Sequence, residues 1–167
     1  MPDNKNREQE RQPDKNKICV NTAPGLGRKP LTSIIVLSYN TLKLTWECIR
    51  SIQRFTEPGT YEIIVVDNAS TDGSVEYLKE QKDLKVIFNQ ENMGFPKGCN
   101  QGIEIATGTE ILLLNSDTIV TPRWLSQLRY ALYSSEMVGA VSCVTNKCSN
   151  RQALKNVPYK NEDELQR

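Results

Sequence analysis

From residue 31 onward, short apolar runs alternate with segments whose apolar residues recur at helical spacing. Residues 31–38 (LTSIIVLS) are β-branched and apolar, and predict a strand. Leu44, Cys48, Ile49, Ile52 and Phe55 then fall on one helical face across 41–55, and Glu57-Pro58-Gly59 ends that helix. A second strand is expected at 61–66 (YEIIVV) and a third at 84–88 (LKVIF). Between them lies a helix running to about Gln81, capped by Thr71 or Asp72. Pro96 suits the first turn of a helix reaching Ala106, with Gly108 as its C-cap. A fourth strand follows at 110–114 (EILLL), then a helix opened by Thr121-Pro122, then a fifth strand at 138–141. Runs that are apolar throughout, separated by helices, indicate parallel strands covered on both faces. The expected fold is α/β, doubly wound around a mostly parallel sheet.

The polar residues matter for where they fall. Strand one ends in Tyr39-Asn40, strand two in Asp67-Asn68, strand three in Asn89 and strand four in Asn115-Ser116-Asp117. Right-handed crossovers place the carboxyl ends of parallel strands on one edge, where open α/β sheets bind ligands. Asp117 emerges from a four-residue apolar run, Ile111–Leu114, and a carboxylate there suits a hard divalent ion shared with substrate phosphates. A plain turn at 115–118 accounts for the same residues. Asp67 likewise fits a turn, or an acid that accepts from ribose hydroxyls or a base imide. Gly94 and Gly98 permit close backbone approach to a ligand or tight helix packing, packing being favoured. Trp46 and Trp124, among apolar neighbours, are expected in the core.

Composition narrows the function classes. The first thirty residues carry eleven charges and four prolines, with Ile18, Val20 and Leu26 as their only Val, Ile or Leu. That segment is expected to be a disordered tail or linker, with the folded domain at 31–167. It has no apolar run after a basic start, so no signal peptide is expected. No apolar stretch approaches the ~18 residues that span a bilayer, so any membrane role would be peripheral. With 21 basic and 20 acidic residues interspersed, nothing forms the basic stripe that nucleic-acid binding needs. Five cysteines, an odd and widely spaced set, suggest reduced thiols in a cytoplasmic protein. The absence of histidine removes Ser–His and Cys–His nucleophile pairs and His-ligated zinc. Neither a dinucleotide-binding glycine fingerprint nor a P-loop is present.

SIIVLSYN, EIIVVDNASTDGS, NQENMGFPKGCNQGI and ILLLNSDTIVTPRWL, in this order, resemble family 2 glycosyltransferases of the GT-A fold. The resemblance covers about residues 31–154 and is nearest to a bacterial branch of rhamnosyltransferases and related cell-surface polysaccharide enzymes. It implies transfer of a sugar, with inversion, from a nucleotide-diphosphate sugar to a hydroxyl of a saccharide or lipid-linked acceptor. Asn115-Ser116-Asp117 looks like the family's D-x-D-type site, with Asp117 ligating Mn²⁺ or Mg²⁺ between the two phosphates. Ser116 stands where a ribose-contacting Asp is frequent. Asp67, with Asn68 beside it, looks like the acid that recognises base or ribose, and Tyr39 and Asn40 would line the base pocket. Asn92, Gly94, Phe95 and Asn100 fall in the segment near base and sugar. Lys97 would meet a phosphate or face solvent. A UDP or dTDP sugar is the expected donor, used in the cytoplasm or at the inner face of the membrane.

The family's catalytic base lies well downstream of the metal motif, and Glu162, Asp163 and Glu164 read as a surface helix start rather than as that base. The chain is therefore expected to stop before the base and the acceptor half, leaving apolar sheet surface uncovered and prone to self-association. Two alternatives stand beside the enzyme. One is a non-catalytic nucleotide-sugar-binding fragment. The other, a receiver-type signalling domain, would want acids after strand one, where Tyr39-Asn40 stands.

Overall fold

The computed structural model describes residues 17–20, 32–146, 152–154, 156–161 and 164. Nine elements follow one another: β1 (Lys17–Val20), β2 (Thr32–Ser38), α1 (Leu42–Phe55), β3 (Tyr61–Asp67), α2 (Ser74–Glu80), β4 (Leu84–Phe88), α3 (Gly94–Glu104), β5 (Glu110–Asn115) and α4 (Trp124–Leu132). They form one five-stranded sheet in the order β1-β4-β3-β2-β5. β2 pairs in parallel with β3 and β5, and β3 with β4. The α/β, mostly parallel architecture expected from the apolar runs is the one observed.

Alternation along the strands divides the sheet into two faces. Ile34, Val36, Ile63, Val65, Leu84 and Val86 form one buried cluster with Cys48, Ile49 and Ile52 of α1, Leu78 of α2 and Val120. Trp124 packs against this cluster and donates its indole N–H to Thr56 Oγ1 at 3.0 Å. On the other face α3 lies so close that glycine is demanded of it. A Cβ at Gly98 would stand 2.4 Å from Leu37 Cδ1, and one at Gly102 2.5 Å from Ile35 Cγ2. Gly98 thus serves packing, the favoured reading.

Two ionic clasps fasten the edge opposite the strand ends that carry the polar motifs. Glu62 accepts from Lys85 Nζ at 2.7 Å, Ser33 Oγ at 2.5 Å and the Thr107 N–H at 2.6 Å. Burial opposes the charge of Glu62, but these partners outweigh it and hold its pKa below the usual value. Glu110, buried at the start of β5, accepts from Arg129 Nε (3.0 Å), the Tyr133 hydroxyl (2.8 Å) and Thr32 Oγ1, tying α4 to the sheet.

Four expectations are corrected. The segment read as a disordered tail contributes β1, antiparallel to β4 from Lys17↔Phe88 to Val20↔Lys85; the rest of 1–30 lies outside the described residues. Residues 138–141 form no strand, because the Val138 N–H closes a turn onto the Ser135 carbonyl (3.1 Å) instead of joining a ladder. Trp46 is 40% exposed, its ring covered on one side by the Arg50 guanidinium at 4.8 Å. Gly108 is not a C-cap, since α3 ends at Glu104; its Cβ would meet the Ser33 amide nitrogen at 2.7 Å, a close approach of loop to strand. Among the described residues no helix is long and apolar enough to cross a membrane.

Candidate functional site

The carboxyl ends of β2, β3, β4 and β5 share one rim, and the loops that leave them are laced together. The Asn68 N–H donates to the Ser38 carbonyl (2.8 Å) and the Asn89 N–H to the Asp67 carbonyl (2.9 Å), so the ladder continues past the strands. Asn40 takes a left-handed backbone at φ +52°; its side-chain carbonyl accepts from the Thr71 N–H at 2.8 Å, and its own N–H donates to Ser70 Oγ at 2.9 Å. Asn40 therefore fixes the loop after β3. Tyr39 beside it is half exposed.

Asp67 is fully buried. Its Oδ2 accepts from the Ser70 N–H at 3.0 Å, while Oδ1 has no hydrogen-bond partner among the described residues. Buried carboxylate oxygens are ordinarily satisfied, so this one marks a place where a partner is wanted. Asn68, expected as a ligand contact, is spent internally. It donates to Asn92 Oδ1 (3.2 Å) and the Gly94 carbonyl (3.4 Å), and accepts from Asn89 Nδ2 (2.8 Å). Asn89 and Gln101 exchange two further amide bonds at 2.9 Å, and Asn92 also accepts from the Gly94 N–H. This amide clasp sets the start of α3, where Gly94 adopts φ +75°. Gln101 was not singled out from the sequence; its helical spacing after Pro96 carried no signal. Phe95, Lys97 and Asn100 are exposed on α3.

The N-cap of α2 is Gly73 and not Thr71 or Asp72 as expected; Asp72 instead accepts from the Ser74 N–H (3.1 Å) and hydroxyl through Oδ1 and from the Leu42 N–H (2.8 Å) at the start of α1 through Oδ2. Burial opposes its charge, and the bonds from Ser74 and Leu42 prevail to lower its pKa. A shallow cleft of about 410 Å³ runs along Asn40–Leu44 beside it.

At the end of β5, Asn115 and Asp117 are exposed and Ser116 is half-buried, its Oγ 3.3 Å from Thr41 Oγ1. Asp117 has no ion-pair partner among the described residues. Burial, with the charge of Asp117 adding to it, pushes the Cys48 thiol beneath this turn up to about 12, which leaves it protonated and inert. No group of three or more acids or cysteines placed to hold an ion occurs among the described residues. One unpaired, solvent-facing carboxylate fits Mg²⁺ or Mn²⁺ in the manner those ions favour, with phosphates and water completing the shell.

Comparison with known proteins gives this arrangement a lineage. The family described as "Glycosyl transferase family 2" matches residues 33–163. An uncharacterized glycosyltransferase of Haemophilus influenzae is 32% identical over 116 residues, 67% of this chain and 36% of that protein. Among solved structures, the mannosyltransferase PcManGT from Pyrobaculum calidifontis, in complex with GDP-Man and Mn²⁺, superposes with a TM-score of 0.62 at 29% identity, covering 70% of this chain and 36% of its own. Residues 1–349 of S. aureus TarS in complex with UDP give 0.54 at 28% identity, covering 62% and 32%. The chain thus spans about a third of the length of the proteins it matches. With a parallel sheet whose polar rim carries the four linked motifs, and a family match running through all of them, this chain belongs to glycosyl transferase family 2.

Proposed function

We propose that the described domain is the donor-binding part of an inverting, metal-assisted glycosyltransferase that uses a nucleotide-diphosphate sugar. The observation that carries this reading is Asp117, an exposed carboxylate without an ion-pair partner among the described residues, where the parallel edge strand β5 reaches the ligand rim. The complex of PcManGT with GDP-Man and Mn²⁺ supports it. Asp117 would hold Mn²⁺ or Mg²⁺, which when bound supplies positive charge to the departing diphosphate. Asp67 Oδ1 would accept a hydrogen bond from the nucleoside, and the half-exposed ring of Tyr39 offers its face to the base. Asn40, Asn68 and Asn92 hold the loops in which these groups stand. The acceptor would be a saccharide or lipid-linked hydroxyl on the way to a cell-surface polysaccharide, as the motif resemblance implies. A cytoplasmic setting accords with free thiols at Cys48, Cys99 and Cys143.

Calorimetric titration of UDP, dTDP and GDP, with and without Mn²⁺, tests the reading. Binding is expected to require the metal and to weaken at least tenfold in Asp117→Ala, a loss of about 1.4 kcal/mol or more. Metal-independent binding that Asp117→Ala leaves unchanged would favour a module that binds nucleotide without transferring sugar. No binding of any nucleotide would remove the donor-site reading.

A further inference from the structure

β1 lies outside residues 33–163, the span that matches the family, and among the described residues it is the one antiparallel strand of the sheet. Its direction sets its reach. Lys17, its first residue, stands opposite Phe88, and Phe88 stands opposite Asp67, so β1 extends as far as the ligand rim.

One peptide group joins β1 to that rim. The Asn89 N–H points toward β3, where it donates to the Asp67 carbonyl at 2.9 Å. Successive residues of a strand turn their N–H and carbonyl groups to opposite sides. The N–H and carbonyl of Phe88 therefore point the other way, to Lys17 of β1. The Phe88 carbonyl and the Asn89 N–H belong to the same rigid plane. That plane is held from both sides, by β1 through its oxygen and by Asp67 through its hydrogen. Beyond it the Asn89 side chain carries the amide clasp, donating to Asn68 Oδ1 at 2.8 Å and to Gln101 Oε1 at 2.9 Å. Asp67, Asn68 and Asn89 are all buried, so a shift of the plane passes to its neighbours and not into free space.

We propose that β1 is a positioning strand for the nucleotide rim. Docked on β4, it fixes the Phe88–Asn89 peptide and through it the Asp67 carbonyl and the amide clasp, so that docking of β1 and binding of nucleotide strengthen each other. The proposal rests on the reading of the rim as a nucleotide-sugar site. Four residues on a sheet edge belong to the low-stability end of a fold, so β1 leaves β4 without the rest of the sheet unfolding. A nucleotide that needs the rim in its docked shape favours the docked strand, and by linkage the strand favours the nucleotide by the same factor. Were β1 only a cover for the β4 edge, its loss would leave the rim unchanged.

Two prolines separate these cases. By the same alternation, the N–H groups of Lys17 and Cys19 face β4 and that of Ile18 faces away. Cys19→Pro removes a ladder donor and undocks the strand, whereas Ile18→Pro leaves the ladder whole. In calorimetry with Mn²⁺ and the better-binding of UDP and GDP, Cys19→Pro is expected to bind about fivefold more weakly than the wild type, and Ile18→Pro to match it. Hydrogen exchange on ligand-free protein is expected to quicken at the Asn68 and Asn89 amides of Cys19→Pro, while the amides joining β2 to β5 stay protected. Unchanged affinity in a Cys19→Pro variant whose β1 amides exchange freely overturns the proposal. The wild type alone supplies a second measurement. Saturating nucleotide is expected to slow exchange of the amides between β1 and β4 by the same factor, about fivefold. No slowing there overturns the coupling even if nucleotide binds. Rim amides that quicken in Cys19→Pro, in a chain that binds no nucleotide, uphold the positioning of the rim and remove the donor-site reading.

Discussion

A carboxylate oxygen sealed inside a protein without a partner costs roughly 1–3 kcal/mol, and Asp67 Oδ1 is such an atom. Nothing in the folding of the chain requires it, since the Ser70 N–H is already satisfied by Oδ2. Asp67→Asn is therefore expected to leave the ligand-free melting temperature unchanged or higher, while nucleotide affinity falls roughly 10- to 100-fold. A melt and a titration on the same preparation check both halves. A variant that is much less stable would make Asp67 structural instead. Legibility at this scale was uneven. Asp117 stood out because a carboxylate in the polar turn that follows an apolar run has few core roles to play. Asn68 did not show its role, because its partners Asn89, Asn92 and Gly94 arrive from 21, 24 and 26 residues further along and no local pattern announces them.

At the scale of elements, the central strands were readable because parallel strands are apolar on both faces, and β2 to β5 lie within a residue or so of their expected bounds. The failures share one cause, dependence on a distant neighbour. Residues 138–141 are apolar enough for a strand but find no ladder, and β1 is four residues in a charged segment that is a strand only because β4 offers an edge. The clasp at Glu62 joins β2, β3, β4 and the loop after α3, and it makes stability depend on pH with a definite sign. Its folded-state pKa lies below the ordinary 4.5. The contribution is therefore complete above that value and is lost as pH falls through the lowered one. Glu62→Gln is expected to cost about 1–2 kcal/mol at pH 7 and to flatten the acid limb of the stability curve. Chemical denaturation at pH 7 and pH 3 distinguishes this from a clasp without net effect, for which both curves would coincide.

The whole molecule has two sheet edges, and they differ. β5 forms one of them among the described residues, and it presents Ile111 at 45% and Leu113 at 48% exposure on the α3 face. Apolar groups side by side on an edge strand invite association. Light scattering is expected to show mass rising with concentration, and Leu113→Lys to suppress the rise. A wild type that stays monomeric across the range would show that this edge is innocuous.

The antiparallel register of β1 on β4 has a practical corollary for where a working gene fragment begins. Hydropathy places the start of the domain at Leu31, and a fragment cut there would look complete by every local criterion. It would nonetheless expose the backbone edge of Lys85–Phe88, which Lys17–Val20 otherwise occupies. A bare strand of that kind accepts any extended peptide that reaches it, including the vector-encoded leader of the same fragment. The first residue worth keeping lies upstream of Lys17, in a stretch whose composition suggests discarding it.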